Sequence, residues 1–226
     1  MKRLVKQYSN ITTLVEEFGT SYEGRKIYAV KISSSPNTGR KVFFINCGIH
    51  AREWITPATC MNMIKEILTK YKTDSSVKAM VDKMDWVIMP VLNVDGYEYT
   101  FNRNRMWRKT RSPNRGSLCM GTDPNRNWNF KWAGNLDSMS KTKRAFDAAV
   151  TALSRLYGTS YNVGPSSIII YENLGSTVDW AYGALGVKYA FSLQLRDKGR
   201  YGFMPPANQI APTGRETFAS IKAMAN

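Results

Sequence analysis

The chain has 226 residues, 43% hydrophobic and 12% aromatic, with a net charge of +15. That length and apolar content predict one core-forming domain and exclude a disordered chain. No apolar run nears the ~20 residues of a membrane-spanning helix, and no signal-like apolar stretch follows the basic start MKRLVKQYSN.

The charge fits a polyanionic partner, a basic solvated surface or a site that handles carboxylates. The densest basic stretch, NRNRMWRKTRSPNR at residues 102–115, holds Arg105, Trp107 and Arg108. These residues clamp phosphate or carboxylate equally well. A nucleic-acid partner would rest on charge alone and is not expected. For Arg103, Arg111 and Arg115 the expectation is a solvated surface charge.

In chain order, KIYAVKIS at 26–33 alternates as a strand, and SSSPNTGR is a turn. VFFINC at 42–47 is a continuous apolar run, the mark of a strand buried on both faces. Thr56-Pro57 predicts a helix start, with the helix running on through PATCMNMIKEILTKY. GIHAREW therefore falls between the C-terminal end of a buried strand and the next helix, where open α/β sheets bind ligands. DWVIMPVLN at 85–93 is a further strand, and 94–135 a long polar connection. A helix follows over 141–158, with Gly158 as its stop. SIIIY at 167–171 and VKYAFSLQLR at 187–196 are expected strands, with a short helix at 176–186 between them and a closing helix from Thr213. Alternating strands and helices without a linker predict a single α/β domain over 1–226.

The three cysteines, Cys47, Cys60 and Cys119, form no C-x-x-C pair, which excludes a zinc ribbon. Cys47 and Cys60 are expected as small buried hydrophobes, and Cys119 lies in a polar loop.

The ordered set GIHAREW, PVLNVDGYEYT, NRMWRKTRS, DPNRNW, ALSRLYGTSY, TVDWAY and LRDKGRYGF resembles the zinc metallocarboxypeptidases of the pancreatic A/B type. The resemblance implies a mixed β-sheet flanked by helices, one Zn2+ ion and removal of C-terminal residues from peptides. It implies His50 and Glu53 as zinc ligands and Arg108 as the cation that polarises the scissile carbonyl. Asn125 and Arg126 would grip the terminal carboxylate, Arg105 would flank the approach, and Tyr171 would close over the substrate. Alone, Tyr171 reads as a strand-end core aromatic. Val178 implies an apolar or aromatic C-terminal preference. Family members are secreted, act on peptide or protein C-termini, and are expected as monomers.

Three departures bear on catalysis. The family's third ligand is a His on a central strand, and the interval NWNFKWAGNLDSMSKTKRAFDAAVTALSRLYG holds none. This implies an internal deletion, placed between Gly134 and Asn135, that removes a central strand, a helix and the usual partner of Cys119. The family's general base is a Glu where this chain has Gln194, and an amide cannot accept that proton. Third, the chain as written shows no secretory signal or pro-segment. The resemblance thus implies a zinc metallocarboxypeptidase with a stretch missing, expected to be inactive as written; the alternatives are a non-catalytic binder of peptide C-termini or an unstable product with an unpaired strand edge.

Overall fold

The computed structural model describes residues 1–35, 39–130, 139–171 and 174–225. The junction placed at Gly134 and Asn135 lies outside the described residues. Four strands form one mixed sheet: β1 (Thr12–Thr20), β2 (Lys26–Ile32), β3 (Val42–Asn46) and β4 (Asp85–Met89). The order is β1-β2-β4-β3, with β1 and β4 antiparallel to β2 and β3 parallel to β4.

Central position explains why β4 reads as a continuous apolar run. Trp86, Ile88 and Met89 are buried, and Trp86 stacks on Phe43 of β3 at 4.6 Å. Parallel strands need a crossover. Here it is α2 (Ile55–Lys70) followed by α3 (Ser75–Lys83). In α2, Cys60, Met63, Ile64, Ile67 and Leu68 recur at helical spacing and are buried, so one stripe faces the sheet. Asp74 caps α3 by accepting from the Ser76 and Val77 amides at 2.9 and 3.2 Å. The last helix, α8 (Ile210–Ala225), adds Phe218 and Ile221 to the same core. A short α1 (Lys2–Gln7) packs Leu4 and Val5 against it.

The structure corrects several expectations. Helix α2 begins at Ile55, so Thr56 lies in its first turn, where its hydroxyl donates to Glu53 O and accepts from Gly48 N. The strand expected over 85–93 ends at Met89, and the connection after it opens with α4 (Val94–Asn102). Helix α5 (Met139–Tyr157) stops before Gly158, whose φ of 66° is the left-handed stop expected there. Residues expected as a strand at 167–171 instead hold one helical turn, α6 (Ser166–Ile169). Helix α7 (Thr177–Gly183) occupies the expected place. The strand expected over 187–196 joins no ladder among the described residues. A strand needs a hydrogen-bonded neighbour, and its sequence pattern alone cannot supply one.

Cys47 and Cys60 are not separate buried thiols. They form a disulfide between the end of β3 and the second turn of α2, with Cα atoms 6.4 Å apart. Cys119 is free and exposed. No helix among the described residues is long and apolar enough to cross a membrane.

Candidate functional site

Leaving β3, the chain turns sharply at Gly48, which has φ of 64°. A Cβ there would lie 3.3 Å from Pro57 and from the backbone of Val91, so the turn both needs positive φ and is tightly walled. This turn carries His50 and Glu53 to the sheet's C-terminal edge. His50 is buried, with Nδ1 2.9 Å from Glu53 Oε1 and Nε2 3.1 Å from Asp123 Oδ1.

Asp123 organises the neighbouring segment. Its carboxylate accepts from Arg108 Nε at 3.0 Å and from the Asn125 amide at 2.9 Å. Burial pushes its pKa up, but these donors outweigh burial and hold it below the ordinary value. Asp123 lies inside the DPNRNW motif yet was given no role from sequence. Only its spacing before Asn125 could have pointed to it. It fixes one ring nitrogen of His50, which leaves Nδ1 for the Glu53 side.

Arg108 is engaged by carboxylates on two sides, Asp123 and, at 3.6 Å, Glu53. Asn125 turns its side-chain oxygen to the amide and hydroxyl of Thr177 at the start of α7, at 3.0 and 3.1 Å. Arg126 donates to Asn125 O at 2.7 Å and to the Tyr171 hydroxyl. Tyr171 is 54% exposed, so it is not a core aromatic. Gly175, with φ of 63°, lets the backbone carrying Arg126 pass so closely that a Cβ would lie 2.6 Å from Arg126 O.

His50, Glu53, Arg108, Asn125, Arg126, Tyr171, Val178 and Gln194 all line one cleft of about 980 Å³. Arg105 does not line it. Its guanidinium stacks over Trp54 at 3.9 Å and donates to the carbonyls of Arg52 and Phe203. Arg111, expected in solvent, stacks instead over Tyr99 and Trp107 at 3.7 and 4.6 Å. Gln194 stands two residues before Arg196, which is fastened to the buried Glu216 of α8 at 2.6 and 2.7 Å.

The donor set fits a zinc ion only in part. His50 Nδ1 and Glu53 Oε1 converge, but a catalytic site uses three protein ligands. Asp123 sits on the opposite ring nitrogen, and the described residues include no group of three or more His, Cys, Asp or Glu able to hold a metal.

Comparison with known proteins gives the family and the fold. The zinc carboxypeptidase family profile matches residues 1–147 and 139–220. Carboxypeptidase A4 of Mus musculus is 38% identical over 92% of this chain and 63% of its own length. Carboxypeptidase B of Homo sapiens is 35% identical over 92% and 64%. The chain thus spans a little under two thirds of these relatives. Among solved structures, thrombin activatable fibrinolysis inhibitor superposes with a TM-score of 0.93 at 28% identity, covering 99% of this chain and 71% of that one. Its bovine form, solved in complex with tick carboxypeptidase inhibitor, gives 0.89 at 28% identity, covering 99% and 92%.

Proposed function

Because the chain belongs to the zinc carboxypeptidase family, we propose that it binds the C-termini of peptides in a metallocarboxypeptidase cleft without hydrolysing them. The observation that carries this reading is the composition of the cleft. Asn125, Arg126 and Tyr171, the residues that the family resemblance gives to the carboxylate, line the same cleft as Gln194, which stands where that resemblance calls for a carboxylate base. Arg126 holds a carboxylate by charge-assisted hydrogen bonds, with Tyr171 positioned to close beside it. Val178 favours apolar or aromatic terminal side chains. With two zinc donors and an amide in place of the base, water activation is lost twice over.

The Cys47–Cys60 disulfide suits an oxidising compartment and supports an extracellular location. The ligands are peptide and protein C-termini, and protein inhibitors of carboxypeptidases are included because the bovine relative is solved with one. Nucleic acid and membranes are not among the partners, and the chain acts as a monomer.

Fluorescence titration with a short blocked peptide ending in Phe tests the reading. The free-acid peptide should bind and its C-terminal amide should not. Arg126→Ala should weaken the free acid about ten- to a hundredfold, the range for a hydrogen bond to a charged group. Release of Phe with zinc supplied should stay at background. Turnover abolished by His50→Ala would overturn the non-hydrolytic reading.

A further inference from the structure

We propose that Asn10 is a site of N-linked glycosylation, the acceptor for an oligosaccharide carried on a lipid pyrophosphate. The site rests on the extracellular location proposed above and on nothing that the cleft does.

The residues YSNIT at 8–12 contain the acceptor pattern Asn-x-Thr, and no other Asn in the sequence has Ser or Thr two residues on. Such a triplet also arises by chance, so its setting decides. Helix α1 ends at Gln7, and a turn leads from it into β1, closed by the Ile11 amide donating to Tyr8 O at 3.1 Å. Asn10 is the third residue of that four-residue turn. It is exposed, whereas Ile11 and Thr12 after it are buried. Among the described residues no hydrogen bond engages its carboxamide. The Cys47–Cys60 disulfide is an independent mark of the oxidising route in which such glycans are added.

Beside Asn10 lies a hollow of about 190 Å³ walled by Tyr8, Leu68, Thr69, Tyr71 and Lys72. None of these residues lines the cleft. The hollow adjoins the C-terminal end of α2, while His50 and Glu53 precede its start. Helix α2 has 16 residues, and at about 1.5 Å per residue its ends stand about 24 Å apart. The first sugar therefore meets the apolar ring surface of Tyr8 and Tyr71, and the glycan leaves the cleft open.

In the transfer, Asn10 Nδ2 bonds to the anomeric carbon of the sugar as the bond from that carbon to the pyrophosphate oxygen breaks. The lipid pyrophosphate leaves with the electron pair, the nitrogen gives up one proton, and nothing is oxidised or reduced. The acceptor pattern also needs the Thr12 hydroxyl, which in the folded chain donates to Tyr8 O at 2.8 Å and Val5 O at 3.1 Å. Thr12 pairs with Ile32 of β2 as well. The chain thus accepts the glycan before β2 pairs with β1, and folding then leaves Asn10 facing solvent.

The test is expression of the full chain behind an added secretory leader in cultured animal cells, with cells and medium both sampled. The leader imposes entry, so the result does not depend on where the chain naturally resides. The chain should run as a slower band that peptide N-glycosidase returns to the unmodified mobility. That enzyme leaves Asp where a glycosylated Asn stood, so the peptide spanning residue 10 should then read Asp. Asn10→Gln should abolish the shift while the Cys47–Cys60 disulfide still forms, since an exposed side chain is replaced. Thr12→Ala should abolish it and Thr12→Ser should keep it. A chain with its disulfide formed and Asn10 unmodified would overturn the site and leave the extracellular reading standing. A shift that survives Asn10→Gln would overturn it too.

Discussion

Gln194 and Arg196 lie on one short segment but are held very differently. Arg196 is locked to Glu216, whereas Gln194 is one of the residues facing the cleft. Restoring a carboxylate by Gln194→Glu puts a base back in the cleft but leaves His50 and Glu53 as the only two zinc donors given by the resemblance. A missing base typically costs on the order of a hundred- to ten-thousandfold in rate, and the metal supplies a separate share acting on the same water. Gln194→Glu should therefore leave peptide hydrolysis at background, and calorimetric titration of either form should find no tight one-to-one zinc binding. Hydrolysis by the single variant would show that a third donor exists.

At the scale of elements, the β1–β2 turn is fastened to α4 by one carboxylate. Asp95 is buried and accepts from Ser21 Oγ at 2.6 Å, Glu23 N at 2.9 Å and Arg25 Nη1 at 2.8 Å. Burial pushes its pKa up, but these donors outweigh burial and hold it below the ordinary value of 3.8. A carboxyl with a depressed folded pKa contributes stability that is present above its unfolded pKa and lost as pH falls through the folded one. Asp95→Asn should therefore destabilise the chain near pH 6, and the gap between variant and parent should narrow below about pH 4 in urea unfolding. A gap independent of pH would show that Asp95 acts through its shape alone. The disulfide is the second fastening between elements. It closes 13 residues, and for loops of that size the entropic estimate is about 3 kcal/mol. Cys47→Ser with Cys60→Ser should lower unfolding stability by about that amount.

The elements differ in how far the sequence revealed them, for physical reasons. Strands β2 and β4 and helix α2 carry their periodicity in the chain, because each is buried along a face by its neighbours. Strand β1 was not expected. It lies at the other sheet edge, exposes Glu16 and Glu17 mid-strand, and is irregular in register between Val15 and Gly19. Helix α4 was hidden by Gly96, which a side chain could not replace, since a Cβ would lie 2.6 Å from Lys109 O. The residues that the family motifs name line one cleft, Arg105 apart, because the motifs fix each one's neighbours in sequence. Asp123 was not legible, because holding a histidine ring leaves no mark without the fold. The disulfide was missed because Cys47 and Cys60 sit in apolar runs that read as core, and only the strand-to-helix turn brings them together.

For the whole molecule, α8 is the element that ties the described C-terminal residues to the sheet. One face of it joins the core beneath α2, and α5 packs against it as well. At the centre of that contact Glu216 is completely buried. Its carboxylate accepts from Arg196, from Thr159 Oγ1 at 2.9 Å and from Tyr161 OH at 3.3 Å. Three stretches distant in sequence therefore converge on one charge. Among the described residues the segment at 187–196 joins no ladder, and this ion pair holds it together with Phe191 against Phe146 and Leu193 against the core. Removing one partner of a buried pair leaves the other charge uncompensated, at a cost of about 3–5 kcal/mol. Domain stabilities are about 5–15 kcal/mol, so Glu216→Ala should remove a large part of the total. Glu216→Gln keeps the shape and the acceptor oxygen but strands the Arg196 charge, and should fall between parent and alanine variant. Denaturant unfolding measures the loss, and hydrogen exchange locates it. Amides of 190–197 and 159–161 should lose protection in Glu216→Ala before those of β2 and β4 do. Uniform loss across sheet and cleft alike would mean that Glu216 supports the core as a whole, not the attachment of the cleft wall.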